Sequence, residues 1–598
     1  MQNKHFFCIA DLTTEAVVFD VSTVRSGNIG LKIAFYGRLN ERQALASRLG
    51  LSGVLPTDID LLALAYQRWD LAMPEHLIGD FSFVIEDCSK QRVFGARDAL
   101  GVHGLFYVRK ATQLIVSARV APLLDHPLVG RRLNHRKLAQ SAVILADTSN
   151  ESFYEGVLSL DGGSAFCLEA GGFKTWSYWQ SDPERGLDIP DHEVPEALRA
   201  LLFDAVGARL PTSSTPAALL SGGLDSSSLV AVAASILKQQ NRRLLTISAV
   251  LPPHLRGKLV DESAFIRAFS DVDNIDFLDI TNEQRGPFDD IDQTLRQHAV
   301  PHLGSRHYQY AAFSEAARAN GAQTIFDGCF GELGPTHYGN GFYAELFRSG
   351  QWLLLAKEVR ARANAYRFPV SKVIKSELLK PLAPAFLLKL TGREHRFDLA
   401  LSSANQPFQH AYLARHLQQS TDEMLTRSNA LVQDDRNPRA AHARSIAHVQ
   451  HSQRPSGNNT NGTQFVFPFL DKRVVEFCLA APTHLKVRNG YPRSLVRLAL
   501  DGLLPPSIQW RTSKEPFAPD FHLRYNQQRV IAEELFASIG TNDPVREVVD
   551  VARLQMMVKH EMKTNRCDTP ADFIAMHMVP KGVYLIHFLR QFSEFAPT

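Results

Sequence analysis

Ala217-Ala218-Leu219-Leu220-Ser221-Gly222-Gly223-Leu224-Asp225-Ser226, continued by Ser227-Ser228-Leu229-Val230, is the stretch that decides the fold. A short apolar run, a double-glycine turn and a Ser-rich start to a second apolar run read as strand, tight loop and helix N-terminus. That arrangement aims backbone N–H groups and the positive helix end at an anion. Gly222 and Gly223 let the main chain approach a phosphate closely, and the hydroxyls of Ser221, Ser226 and Ser227 add donors. Asp225 would repel a phosphate unless a cation lay between them, which points to Mg²⁺. The stretch lacks the Lys-Ser/Thr pair of the loop that holds a transferable γ-phosphate. The plainer alternative is a Gly-Gly turn before an ordinary helix.

At 598 residues the chain exceeds one hydrophobic core, so two large domains are expected. Hydrophobic content of 45% and charged content of 21% are those of an ordinary globular protein. A net charge of +3, from 65 basic and 62 acidic residues, makes no electrostatic case for nucleic acid. Cys8, Cys88, Cys167, Cys329, Cys478 and Cys567 are scattered without a CxxC pair, which argues against a disulfide framework or zinc site. The N-terminal apolar run is too short for a signal peptide, and no segment is long enough to span a bilayer, so a cytoplasmic location is expected.

The polar stretch Ser181-Asp182-Pro183-Glu184-Arg185-Gly186 marks a division near 181–191. Before it, short apolar or alternating runs at 33–36, 81–86, 92–96, 105–108 and 113–117 predict strands of a layered antiparallel sheet. Ile59, Leu62, Ala63 and Tyr66 predict a helix over 58–68. After the division, strand candidates at 217–220, 244–250 and 324–326 alternate with helical patterns, the order of a parallel sheet flanked by helices. The pattern beyond 345 is mainly helical, and 433–463 reads as a long mobile loop. The expected fold is therefore an α+β antiparallel domain over 1–185 and an α/β parallel-sheet domain over 190–598 with a helical C-terminal region.

The second domain resembles the synthetase domain of the asparagine synthetase superfamily, whose SGGxDS loop splits ATP into AMP and pyrophosphate during adenylation. The resemblance rests on an ordered series. Ser221–Ser226 comes first, then the strand Leu244-Leu245-Thr246-Ile247-Ser248-Ala249-Val250 and the acidic Asp261-Glu262-Ser263. Asp327-Gly328-Cys329-Phe330-Gly331-Glu332-Leu333 stands where the family has SGxGxDE. Phe467-Pro468-Phe469-Leu470-Asp471, Gly490-Tyr491-Pro492-Arg493-Ser494-Leu495-Val496-Arg497 and Arg511-Thr512-Ser513-Lys514-Glu515-Pro516-Phe517 match the remaining blocks. The resemblance implies ATP held by Leu220, Ser221, Gly222, Gly223, Asp225, Ser226, Ala249 and Gly328, with Leu220, Ala249 and Gly328 toward adenosine. It implies Mg²⁺ on Asp225 and Glu332, and Lys514 neutralising charge on the departing pyrophosphate. Glu332 is one methylene longer than the family's Asp, and a helix-capping charge is its plainer reading. The family's amine-activating position, Glu in asparagine synthetases and Tyr in a β-lactam synthetase, is Cys329 here. A neutral thiol is a poor base, and Tyr308, Tyr338, Tyr343, Glu345, His302 and His337 stand on nearby segments.

The first domain resembles that superfamily's glutaminase domain through Thr57-Asp58-Ile59-Asp60-Leu61-Leu62, Leu77-Ile78-Gly79-Asp80-Phe81 and Ala96-Arg97-Asp98-Ala99-Leu100-Gly101. A working glutaminase of this class needs a cysteine directly after the initiator Met; this chain has Gln2, and Cys8 is its first cysteine. Tyr36-Gly37-Arg38-Leu39-Asn40 replaces N-G-E-I-Y-N, and no H-R-G-P-D segment occurs. The amidotransferase half reads as a structural relic, so the amine must already be on the substrate. Two branches fit: β-lactam synthetases, and lasso peptide cyclases, which join an internal Asp or Glu side chain to the peptide's own N-terminus. Length and the degenerate first domain look more like the cyclases, which implies a precursor peptide as substrate and a leader-peptide protease as partner. A non-catalytic ATP-binding scaffold is the alternative from another class.

Overall fold

The computed structural model describes residues 7–11, 17–20, 24–25, 30–110, 113–142, 149–301, 304–382, 406–417, 437–451, 463–515, 518–565 and 569–594. The first part is built on two antiparallel sheets. One has the order β2-β1-β8-β7-β9, from Phe7–Asp11 (β1), Val17–Asp20 (β2), Phe106–Lys110 (β7), Gln113–Ser117 (β8) and Val157–Ser159 (β9). The other, β11-β10-β6-β5-β4-β3, uses Val24–Arg25 (β3), Leu31–Leu39 (β4), Gly79–Asp87 (β5), Arg92–Arg97 (β6), Ser164–Glu169 (β10) and Gly172–Ser177 (β11). Val84, Phe166, Leu105, Tyr107, Leu114 and Val116 form a shared apolar core drawn from both sheets. The outer face of the second sheet is covered by the helix Asp58–Trp69, whose Leu61, Leu62, Ala65 and Tyr66 pack on Phe81, Phe83 and Phe94. Thr57 and Asp60 close that helix's N-terminus with a reciprocal capping box.

The second part centres on a parallel sheet of order β14-β13-β12-β15-β16, from Pro216–Leu219 (β12), Leu244–Ala249 (β13), Ile275–Ile280 (β14), Thr324–Phe326 (β15) and Gln464–Val466 (β16). Every pairing in it is parallel. Helices Val194–Gly207, Leu224–Gln239, Lys472–Ala480 and Ser494–Ala499 enclose one apolar core against it. His307–Ala319 and Pro438–His451 contribute to a second core. A third unites the C-terminal helices Phe521–Ala537 and Pro570–Phe592 with residues of the first part, including Leu123, Leu138 and Tyr154.

One expectation is corrected. Residues 438–451, read as part of a mobile loop, form the helix Pro438–His451. Its inner face carries Ala443, Ile446 and Val449, but also the buried polar His442 and Gln450, and that mixture hid the helical period. Gln450 and one ring nitrogen of His442 find their partners outside the helix, while His442 Nδ1 has none among the described residues. The Nε2 of His442 meets the Leu333 carbonyl at 2.8 Å, and Gln450 Nε2 donates to the carbonyls of Ala99 and Gly162 at 3.1 and 3.3 Å. The remainder of 433–463 falls on 433–436 and 452–462, outside the described residues, and on Thr463, a buried isolated bridge residue.

The two parts meet around one buried cation. Arg209, 1% exposed, donates to both oxygens of Asp80 at 2.9 and 2.6 Å and to Asp471 at 2.9 Å. Burial raises the proton affinity of Asp471, but the charges and hydrogen bonds of Arg209 and Arg473 outweigh it and hold the carboxyl below its ordinary range.

Candidate active site

In the parallel sheet the chain leaves β12 toward β13 and β14 on one side, then returns to place β15 and β16 on the other. The loops after β12 and β15 therefore diverge, opening a crevice at the carboxyl end of the sheet where open α/β sheets bind ligands. The first loop is Leu220–Gly223 and the second begins at Asp327.

The first loop is held taut from within. Ser221 N–H donates to Ser226 Oγ at 3.1 Å, and Ser226 Oγ–H reaches the Gly223 carbonyl at 3.2 Å. Gly222 has φ +71°, and a Cβ there would lie 2.7 Å from Phe265 Cβ, so the turn requires glycine. Gly223 is the N-cap of Leu224–Gln239, and no side chain among the described residues caps that terminus. Uncapped N–H groups at a 16-residue helix form an anion site. Lys514 supplies the cation: its Nζ lies 3.8 Å from the position a Cβ on Gly223 would take. Lys514 is exposed and has no ion-pair or hydrogen-bond partner among the described residues.

Lys514 is placed by two residues whose role the sequence did not reveal. Arg511 forms a two-pronged ion pair with Glu262, stacks on the Phe265 ring at 3.5 Å and donates to the Gly222 carbonyl at 3.0 Å. Glu262 also accepts the Glu515 N–H at 2.8 Å. This clasp ties the Arg511–Glu515 segment to the glycine loop, and the arginine's planar fork suits it.

The second loop crosses the same helix end. A Cβ on Gly328 would fall 2.8 Å from Ser226 N, so only glycine permits the approach. Asp225 is bonded by Thr336 Oγ1, with Arg493 Nη1 at 3.2 Å. Glu332 lies exposed in the 3₁₀ turn Gly331–Leu333. Ala249 is partly buried at the end of β13, against the same apolar cluster as Phe330. Leu220 points its side chain into the core, and its N–H and carbonyl are taken by Ile247 O and Ser248 Oγ.

The uncapped helix end, the glycine cradle and the unpartnered Lys514 fit a nucleotide's phosphates. Among the described residues no group of three or more His, Cys, Asp or Glu could hold a metal by itself. Asp225 nonetheless fits Mg²⁺, which is held by one or two carboxylates together with substrate phosphates rather than by a protein cage.

The candidates for amine activation separate clearly. Tyr308 is fully buried with a hydroxyl that has no partner among the described residues, Tyr343 is buried beside Phe342, and His337 stacks on His442 at 4.0 Å. Tyr338 lies exposed under the Arg493 guanidinium, and Glu345 sits in the first turn of Phe342–Arg348. His302 lies outside the described residues. Burial and the Asp327 charge push the Cys329 thiol well above its ordinary range, the wrong direction for a base. The sequence reading missed Tyr310. Its hydroxyl donates to Asp327 Oδ2 at 3.3 Å and lies 3.7 Å from Cys329 Sγ.

In the first part, Cys8 sits inside β1, paired with Val116 of β8, and is 2% exposed. Burial, with Glu86, raises its thiol well above the ordinary range. Arg38 reaches across to the Arg209 carbonyl at 3.0 Å and the Gln464 side chain at 3.3 Å.

An antiparallel two-sheet domain joined to a parallel-sheet domain with this phosphate-type loop is the architecture of asparagine synthetases. Residues 28–179 match the glutamine amidotransferase domain and 197–579 match asparagine synthase. The chain belongs to the asparagine synthase family. An asparagine synthetase [glutamine-hydrolyzing] 3 of Bacillus subtilis is 22% identical over 519 residues, 83% of this chain and 76% of that protein. Amidase chry2 of Gibberella zeae is 26% identical over 295 residues, covering 47% of this chain and 43% of the amidase. Among solved structures, the glutamine phosphoribosylpyrophosphate amidotransferase of B. subtilis shares 14% identity, with a TM-score of 0.19 over 38% of this chain and 58% of its own.

Proposed function

We propose that this chain is an AMP-forming amide ligase that uses an amine already present on its substrate: a lasso-type macrolactam synthetase. It activates an internal Asp or Glu side chain of a precursor peptide with ATP and joins it to that peptide's N-terminal amine. One contrast carries the reading. Lys514 stands over the glycine loop, while Cys8 is locked inside a core strand and Arg38 has been turned into an interdomain contact. The adenylating half keeps its groups and the ammonia-supplying half does not.

In this reading the loop 221–223 and the helix end hold the phosphates, and Lys514 balances charge that grows on pyrophosphate as it leaves. Arg511 and Glu262 hold Lys514 in place. Mg²⁺ on Asp225, with Glu332 as second carboxylate, would screen the phosphate charge when bound. A leader-peptide protease supplies the free N-terminus, so the chain has a processing partner. The likeness to an asparagine synthetase over 83% of the chain favours a second reading, ligation of free ammonia to aspartate.

ATP–pyrophosphate exchange separates these. Exchange with peptides carrying an internal Asp or Glu, together with a product lighter by one water, is the expected result. Exchange only with free aspartate establishes the asparagine reading, and exchange only with a small β-amino acid establishes β-lactam synthesis. Silence with every carboxylate leaves a nucleotide-binding scaffold.

A further inference from the structure

We propose that Tyr310 and Asp327 are the proton acceptor for the attacking amine, Tyr310 as the group that touches the nitrogen and Asp327 as the final holder of the proton. The inference rests on the ligase reading above and assigns its second step. Tyr310 comes from the helix His307–Ala319, and Asp327 directly follows β15. The Asp327 carboxylate is buried, with Oδ1 accepting the Cys329 N–H at 3.0 Å and Oδ2 accepting the Tyr310 hydroxyl at 3.3 Å. It has no cationic partner among the described residues. A buried carboxylate without a counter-ion gains by taking up a proton, and burial indeed raises the proton affinity of Asp327. The Asp327 charge, with burial, pushes the Tyr310 phenol well above its ordinary range, so Tyr310 stays protonated and acts as a relay.

The pair stands at the right place. Gly328 lies between Asp327 and Cys329 and packs against Ser226 N, so the dyad abuts the helix end that Lys514 also approaches. Tyr310 is half-buried, which gives Asp327 a path to the crevice through one phenol. Tyr310 also packs edge-on against Phe465 at 5.3 Å and Phe313 at 6.0 Å, which fixes its ring.

The step balances. The amine lone pair forms the C–N bond, the acyl carbon–oxygen bond to AMP breaks, and AMP departs with that electron pair. The proton lost from nitrogen passes to the Tyr310 oxygen as the Tyr310 proton passes to Oδ2 of Asp327.

The test compares wild type, Tyr310→Phe, Asp327→Asn and, as control, Tyr308→Phe, which removes a hydroxyl that has no partner among the described residues. Using whichever aspartate or Asp/Glu peptide supports ATP–pyrophosphate exchange, amide formation is measured beside trapping by hydroxylamine, whose nitrogen is neutral at pH 7 and needs no base. Tyr310→Phe and Asp327→Asn are expected to keep exchange and hydroxylamine trapping while amide formation falls roughly a hundredfold or more. ATP–Mg²⁺ affinity by calorimetry and the melting temperature of Tyr310→Phe should match wild type, and Tyr308→Phe should match it throughout. Amide formation at the wild-type rate in Tyr310→Phe overturns the proposal. So does a parallel loss of exchange, or a weakened ATP–Mg²⁺ affinity. Wild-type protein that shows no exchange with any carboxylate refutes the ligase reading itself, and the dyad falls with it.

Discussion

A single ammonium carries much of the adenylation chemistry, so Lys514 is the residue to remove first. It stands 3.8 Å from the Cβ position of Gly223 and is held there by the Arg511–Glu262 clasp. Its partner charge appears only as pyrophosphate departs, so it acts on the transition state more than on ATP binding. Lys514→Ala should lower turnover about a hundredfold or more, with much less change in ATP affinity. Steady-state pyrophosphate release checks this, and unchanged turnover would make Lys514 an ordinary surface lysine. Lys514→Arg should be impaired too, because a planar fork does not replace a compact ammonium. Lys514 and the glycine loop could be read from sequence because each lies in a contiguous block with a phosphate-binding pattern, whereas the Arg511–Glu262 clasp could not. Tyr310 could not: its partner is 17 positions away, and only the packing of a helix beside β15 brings the two together. The Leu220 side chain faces the core, an orientation set by the packing of β12 rather than by any local pattern.

Among the elements, the join between the two parts depends on Arg209. Removing it leaves Asp80 as a buried carboxylate without its cation and Asp471 with Arg473 alone. Arg209→Met should cost roughly 3–5 kcal/mol, read as a lowered urea midpoint. A midpoint equal to wild type would show that water or another cation relieves the two acids. The strands β4 to β8 and β12, β13 and β15 were legible from apolar runs bounded by turn residues. The helix Pro438–His451 was not, because its buried face includes His442 and Gln450. Gln450 and the Nε2 of His442 bond to carbonyls of Leu333, Ala99 and Gly162, which no local pattern announces. That helix links the first part to the loop that carries Asp327.

For the whole molecule, buried histidines set the response to acid. Burial lowers His103 to about 4 and His442 to about 3. The unfolded chain takes up those protons near pH 6.5 while the folded chain refuses them, so stability falls as pH drops from about 6.5 toward 4. His103 has no partner on either ring nitrogen among the described residues and packs edge-on to Tyr36 at 4.5 Å. Its share of the loss is on the order of 2–3 kcal/mol, and His103→Leu should flatten the fall in melting temperature between pH 7 and pH 5. An unaltered pH profile in that variant would remove His103 from the account. The same chain should also ignore glutamine: Cys8→Ala should leave ligation intact, and glutamate release abolished by Cys8→Ala would restore a working glutaminase. The most direct measurement is of the products formed from ATP and a peptide bearing an internal Asp or Glu and a free N-terminus, with no glutamine or ammonia added. The expected products are AMP and pyrophosphate, formed in step with a cyclic peptide lighter by one water. Formation of ADP, or amide formation only when glutamine or ammonia is supplied, would contradict the proposed function.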